Sequence, residues 1–453
     1  MANYTPYESV ASGRRTNPNG PDIIVPAGWE IPEGVGIMRS TNDADLIKTG
    51  GGTDDICSSG GDDKVIAGAD GDEVDGGDGN DWISGDDEVL ESQTDGNDVI
   101  RGGKGDDTIL GQGGDDQIWG EDDDDLIYAG SGDDYVSGGK GDDTIDGGDG
   151  NDCLNGGKGE DVIEGGKGRD TISGGDDNDD LSGGAGNDHM NGDAGNDVMD
   201  GGNGNDVMSG DSGNDFMEGG SGFDCVKGDS GNDVIWGDVA SDGANTIFGV
   251  ADTLIGGTGD DMIYGQGGND QLAGNEGNDV LDGGAGNDRI VPGSGNDTMY
   301  GGTGSDTFEF HQDDVDFFAF QNAVDVIKDW DANNGSSGDA DVIRLCGQPE
   351  FVPVKIQFGA FFGDGNQLPD DVMILLSNGQ KIFLDDAAVV KWTPFIETEF
   401  DMGIASFSDP LTSGKNADDF DLVHLPDTCP PVECADPDEC DEVPPPELWA
   451  VIV

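Results

Sequence analysis

The chain has 453 residues, 83 of them Gly, and carries 99 acidic groups against 19 basic ones, a formal charge of −80. Phosphate contacts need Lys and Arg, so nucleic acid is excluded as a partner, and an anionic membrane surface would repel the chain. No run of about 18 apolar residues exists to cross a membrane as a helix. The opening MANYTPYESVASGRRTN lacks the apolar core of a cleaved export signal.

Composition of this kind alone would point to disorder, but the apolar residues are too regularly placed for that. Residues 1–39, rich in Pro, Gly, Ser and Asn around Ile23-Ile24-Val25, read as an N-terminal arm too small for an independent enzyme domain. Residues 40–309 then repeat a nine-residue unit, clearest over 138–236, and hold 66 acidic and 10 basic groups, a net −56. Numbered G-G-x-G-x-D-x-U-x, the unit has Asp at position 6 and an apolar residue U at position 8.

Three runs keep this measure. The first, residues 40–84, has Asp45, Asp54, Asp63, Asp72 and Asp81. After a break at 85–92, the second run (93–236) has Asp98, Asp107, Asp116, Asp125, Asp134, Asp143, Asp152, Asp161, Asp170, Asp179, Asp188, Asp197, Asp206, Asp215, Asp224 and Asp233. A further break at 237–246 precedes the third (247–309), with Asp252, Asp261, Asp270, Asp279, Asp288, Asp297 and Asp306. In all 28 repeats the residue two after the Asp is apolar, so that column is core, including Met190, Met199, Met208 and Met217.

Past Phe308 the pattern changes. Residues 310–400 hold aromatic and β-branched segments such as Phe317–Phe320, Asp325-Val326-Ile327 and Asp341-Val342-Ile343. Val372–Leu376 and Lys381–Leu384 flank Asn378-Gly379, a strong hairpin signal. This predicts a β-rich cap, which a solenoid end needs to cover core and strand edges. Residues 401–453 form an acidic tail rich in Pro and Cys that ends Glu447-Leu-Trp-Ala-Val-Ile-Val.

Glycine-dense positions 1–6 exclude helix and favour a tight turn. Positions 7–9 predict a minimal strand with U pointing inward. Two turn-strand units close an 18-residue coil, so the expected fold is all-β: a parallel two-sheet solenoid in which repeat n stacks on n+2. Stacked Asp residues then lie about 4.8 Å apart and repel without a cation between them. Ca²⁺, which takes six to eight oxygens at about 2.3–2.6 Å, suits carboxylates with glycine carbonyls; Zn²⁺ would want His or Cys. One ion per stacked pair within each run gives 22 sites, and about +44 from Ca²⁺ would nearly neutralise the repeats.

The chain resembles the RTX (repeats-in-toxin) calcium-binding family over residues 40–309. The resemblance implies a right-handed parallel β-roll, all 28 Asp as Ca²⁺ ligands, folding on calcium after export, and secretion by a type I apparatus reading an uncleaved C-terminal signal. The 310–400 segment resembles the usual flank of such rolls, and the acidic-then-apolar ending resembles that of many type I substrates. Asp123 and Asp177 replace Gly at position 4 and mark weaker turns, and the Gly-poor start at Ser40–Lys48 leaves the outermost sites in doubt.

Other chemistry is sparse. His189, His311 and His424 are scattered, no HExxH or G-x-S-x-G occurs, and Thr is too sporadic for an ice-binding array. Asp329-x-Asp331-x-Asn333 fails as an EF-hand loop because Ala340 stands at its twelfth position, though a single ion there stays open. Cys153 and Cys225 lie four coils apart, roughly 19 Å, too far to bond each other. Cys429, Cys434 and Cys440 offer one bridge, or thiols kept reduced until export. The expected function is a secreted, non-enzymatic calcium-binding β-roll of surface, matrix or adhesin type. The alternatives are an accessory to a toxin or enzyme, with activity in 310–400, and a separated secretion carrier.

Overall fold

The computed structural model describes residues 38–39, 44–49, 53–86, 96–238, 250–311 and 324–328, with the strand segments 342–347, 353–359, 371–376, 381–384 and 422–426. Most of the arm and tail, the 329–340 loop, Asn378-Gly379 and the tail cysteines lie outside these residues. Every regular element described is a β-strand, and no helix among the described residues is long and apolar enough to cross a membrane. The chain divides into two compact units, Met1–Ser221 with Ala435–Val453, and Gly222–Cys434. The division falls within the second run.

In the first unit, strands alternate between two parallel sheets. Sheet A includes Val99–Lys104, Gln117–Asp122, Tyr135–Lys140, Cys153–Lys158, Thr171–Asp176 and His189–Ala194. Sheet B includes Leu126–Ser131, Thr144–Asp149, Val162–Lys167, Asp180–Ala185 and Val198–Asn203. Register partners stand 18 residues apart, as in Ile145 with Ile163 and Leu154 with Ile172. The second unit repeats the arrangement, with Leu254 on Leu272 in one sheet and Ile263 on Leu281 in the other. The 18-residue coil follows from the nine-residue period.

Many strands, above all in the second run, are longer than the expected three residues, while others such as Leu46–Lys48, Val207–Ser209 and Met262–Tyr264 keep that length. Thr144–Asp149 spans positions 7–9 and then 1–3 of the next repeat. The ladder runs on through the glycine pair, with Gly148 opposite Gly166 and Asp149 opposite Lys167. Glycine permits this because position 2 takes a positive φ, 101° at Gly148 and 114° at Gly157, while its amide keeps its place in the sheet. The turn is therefore confined to positions 4–6.

The U column is the core. Ile145, Leu154, Ile163 and Ile172 are each 1% exposed, and Met190, Met199, Met208 and Met217 are equally buried. Burying a side chain of this size contributes roughly 1.5–3 kcal/mol, and each coil repeats the gain. Beyond the repeats, Asp371–Leu376 and Lys381–Leu384 pair antiparallel, as the hairpin signal requires, and Val324–Ile327 pairs in parallel with Thr298–Tyr300.

The register makes a sharp prediction. Ile163→Ala should destabilise the calcium-loaded roll by about 2–5 kcal/mol, whereas Val162→Ala, one residue away and outward, should change it by less than about 0.5 kcal/mol. Hydrogen exchange at amides of the adjoining strands reads the difference, and equal effects would contradict the register.

Candidate metal centre

Position 6 builds a column of carboxylates along each turn edge. Within each unit these Asp residues donate their backbone N–H to Oδ1 of the position-6 Asp one coil on, in an almost unbroken series. Asp143 thus donates to Asp161 at 2.7 Å and Asp161 to Asp179 at 2.8 Å. In the first unit these bonds run from Asp45 and Asp63 to Asp197 and Asp215. In the second they run from Asp224 and Asp252 to Asp288 and Asp306, and beyond to Asp325. The sequence-predicted Asp residues are thereby brought into columns, and all except Asp54 are buried.

The second oxygen of each carboxylate is what makes the column a site. Oδ2 of Asp143, Asp152, Asp161, Asp170, Asp179 and Asp270, among others, is buried with no hydrogen-bond partner. It points beneath the first glycine of its own turn. A Cβ added to Gly156 would stand 2.3 Å from Asp161 Oδ2 and 2.7 Å from the Gly174 carbonyl oxygen. Gly138 faces Asp143 Oδ2 and the Gly156 carbonyl in the same way, at 2.3 and 2.8 Å. The cradle thus gathers a carboxylate oxygen from one coil and a carbonyl oxygen from the next. An all-oxygen donor set with an orphaned anionic atom fits a hard cation such as Ca²⁺. The ion would be held by the position-6 Asp carboxylates and turn carbonyls, and would supply the missing positive charge.

Position 4 serves the turn differently. Gly141 and Gly159 hold φ of 133° and 124°. At the same position Asp123 and Asp177, expected to tolerate this region, do adopt it, at 80° and 86°.

Electrostatics expresses the same frustration. Asp161 and Asp179 are pushed up to about 7, Asp116 to about 8 and Asp252 to about 9. Burial is the largest cause; the amide hydrogen bond opposes it and neighbouring carboxylates add to it. A carboxyl whose folded pKa lies above its unfolded value favours the fold at low pH and loses that contribution as pH rises through the folded pKa.

Two expectations about the ladder need correction. The breaks were expected to divide it, but Asp72 donates to Asp98 and Asp81 to Asp107, both at 2.7 Å, and Asp224 donates to Asp252 at 2.9 Å. The extra residues enter within one turn, after Gly85-Asp86 and after Gly237-Asp238. The sheet then resumes, with Val74 opposite Ile100 and Val226 opposite Leu254. Stacked pairs therefore also form across both breaks, and 22 undercounts them. Asp325 was also missed as a column member. It accepts from Asp297 N at 3.3 Å and is buried. Its signal was present, since Asp325-Val326-Ile327 has the Asp-x-U spacing, but an insertion hid the register.

Cys153 and Cys225 are both disulfide-bonded, and the Cys57 thiol donates to Asp75 Oδ2 at 3.8 Å. His311 bonds the buried Glu309 at 3.0 Å, and Arg289 donates twice to the same carboxylate, at 2.8 and 3.1 Å. This is an ion-pair cluster at the side of the roll.

The RTX calcium-binding nonapeptide repeat family matches the chain in overlapping stretches that together cover residues 34–88 and 92–308, more than half its length. The chain belongs to this family. The match supports Ca²⁺ as the ion of the carboxylate columns. No curated protein matches. Among solved structures, a hyperactive, Ca²⁺-dependent, β-helical antifreeze protein from an Antarctic bacterium is similar at 20% identity over 68% of this chain and 80% of that one, with a TM-score of 0.23. So low a TM-score carries no argument about this chain.

Gly156→Ala should remove calcium binding at its rung without changing charge, because the new Cβ enters the space between Asp161 Oδ2 and Gly174 O. Isothermal titration would show a lower stoichiometry, and an unchanged stoichiometry would place the ion elsewhere. In chelator, acid should substitute in part for calcium. The β signal in circular dichroism should grow as pH falls through the window from about 9, set by Asp252, to about 6, set by Asp134 and Asp170. A signal independent of pH would contradict the burial of neutralised carboxyls.

Proposed function

We propose that the protein is a secreted, non-enzymatic RTX β-roll that folds on Ca²⁺ after export and serves as a structural element at a cell surface or in a matrix. The observation that carries the reading is the column of orphaned Asp Oδ2 atoms, which makes the roll unfavourable until cations enter. Cytosolic calcium is scarce and extracellular calcium plentiful, so such a chain stays unfolded before export and folds after it. A net charge of −56 on residues 40–309 keeps the unfolded segment expanded and suited to passage through a type I apparatus. The non-enzymatic part of the reading is supported by the structural and metal-binding roles that occupy the repeats.

Circular dichroism with and without millimolar calcium tests the reading. The chain should be unstructured in chelator near neutral pH and gain a β signal on calcium addition; full β structure in chelator would overturn it. Deleting 401–453 should abolish export from a host carrying a type I apparatus while calcium folding persists, and continued export would refute the C-terminal signal.

A further inference from the structure

The two sheets of the first unit present different outer faces. With U inward, the first-unit strands from Val99 onward turn their position-7 and position-9 side chains outward, whereas Ile66 and Ser84, earlier on sheet B, are buried. On sheet A opposite charges are matched: Lys104 bonds Asp78, Lys140 bonds Asp122 and Lys158 bonds Asp176. Arg101 lies over the Trp119 ring, 5.1 Å from its centroid. Position 9 continues with Ser137, Asn155, Ser173, Asn191 and Ser209, a neutral polar row.

Sheet B is built otherwise. The exposed large apolar side chains described in the first unit are Tyr128 at 42%, Val162 and Val198 at 47%, and Phe216 at 36%, and all four are on this sheet. Beside them runs an acidic row. Val162 is followed two residues on by Glu164, and Val198 by Asp200, so single strands show an apolar side chain and a carboxylate together, roughly 7 Å apart. Asp146 stands directly opposite Glu164 in the ladder. Like charges opposed in this way are destabilising, and between these strands the described ion pair is Lys167 with Asp149. Asp200 is held above the usual carboxylate range, by burial first and by the nearby Asp180 as well. Ions in the turn columns do not reach this row, which lies mid-strand on the outside.

Apolar exposure and uncompensated acid side by side cost the isolated roll stability, and both costs are relieved by one kind of occupant. We propose that the sheet B face of the first unit, centred on Val162, Glu164, Val198 and Asp200, docks a protein segment in which Lys or Arg alternates with apolar side chains. The apolar side chains of the partner cover Val162 and Val198, and its cations answer Glu164, Asp200 and Asp146. Sheet A, with its charges paired, is the built-in control.

The inference rests on the calcium-folded roll and not on a matrix role. The test uses the full chain in millimolar calcium at physiological salt, with folding of every variant checked by circular dichroism. The probe is a labelled synthetic peptide of alternating lysine and valine, read by fluorescence anisotropy. It should bind, and Val162→Ser with Val198→Ser, or Glu164→Gln with Asp200→Asn, should each weaken it about tenfold or more, about 1.4 kcal/mol. Asn155→Ala with Ser173→Ala on sheet A should leave binding within about twofold. The proposal is overturned if the peptide fails to bind, if the sheet B variants bind it unchanged, or if a lysine-serine peptide of equal charge binds as tightly. It is equally overturned if sedimentation shows self-association that Val162→Ser with Val198→Ser abolishes, since the face then belongs to a second copy. Failure to fold in calcium would instead sink the β-roll reading itself.

Discussion

A buried carboxylate with one oxygen satisfied and the other facing a carbonyl is the constraint on which this molecule depends. Most position-6 Asp residues meet it by one arrangement, Oδ1 on a backbone amide of the neighbouring coil and Oδ2 in a cradle under position 1, usually a glycine. Removing an ion-sized positive charge from such a site leaves a buried anion, which costs several kcal/mol unless it is neutralised. The U column offers only modest apolar burial per coil in return. On the proposed reading calcium binding and folding are one event, and the stacked coils make it a column-wide property rather than one of separate sites.

The repeat's glycines serve this arrangement for separate physical reasons. Position 1 is Gly at most turns, where the carboxylate and carbonyl crowd the place of a Cβ, although Ser58, Ala67, Ala129 and Pro292 stand there at other turns. Position 2 needs a positive φ so that the strand continues through the pair. Position 4 needs one to turn the chain, and there Asp123 and Asp177 substitute because Asp accepts the left-handed region. These requirements tolerate insertion between positions 2 and 4, after Asp86 and after Asp238. The second break shows how: the Asp238 carboxylate accepts from the backbone amides of Val250 and Gly267, fixing both ends of the added segment beside the resumed coil. Insertion lengthens a turn and leaves the column whole.

Because the metal columns lie at the turns, the two outer faces are free to diverge. In the first unit sheet A became charge-matched and polar, and sheet B apolar and acidic. Positions 7 and 9 point away from the core, so they can vary as long as U and Asp stay in place.

The amino-acid sequence by itself determined the all-β class, the 18-residue coil, the inward column and the Asp residues that form the site. A strict period of nine with Asp and an apolar residue two places apart has few ways to pack, and Ile145, Ile163 and their equivalents could point only inward. Tertiary structure alone decided the rest. Strand length was hidden because glycine's ability to stay in a ladder at positive φ leaves no pattern in hydrophobicity. Continuity across the breaks was hidden because register belongs to space, and Asp72 meets Asp98 although 26 residues separate them. Asp325 escaped for the same reason. The orphaned Oδ2, and the difference between sheets A and B, emerged only once coils were stacked, since both depend on which residue stands 18 or more places away.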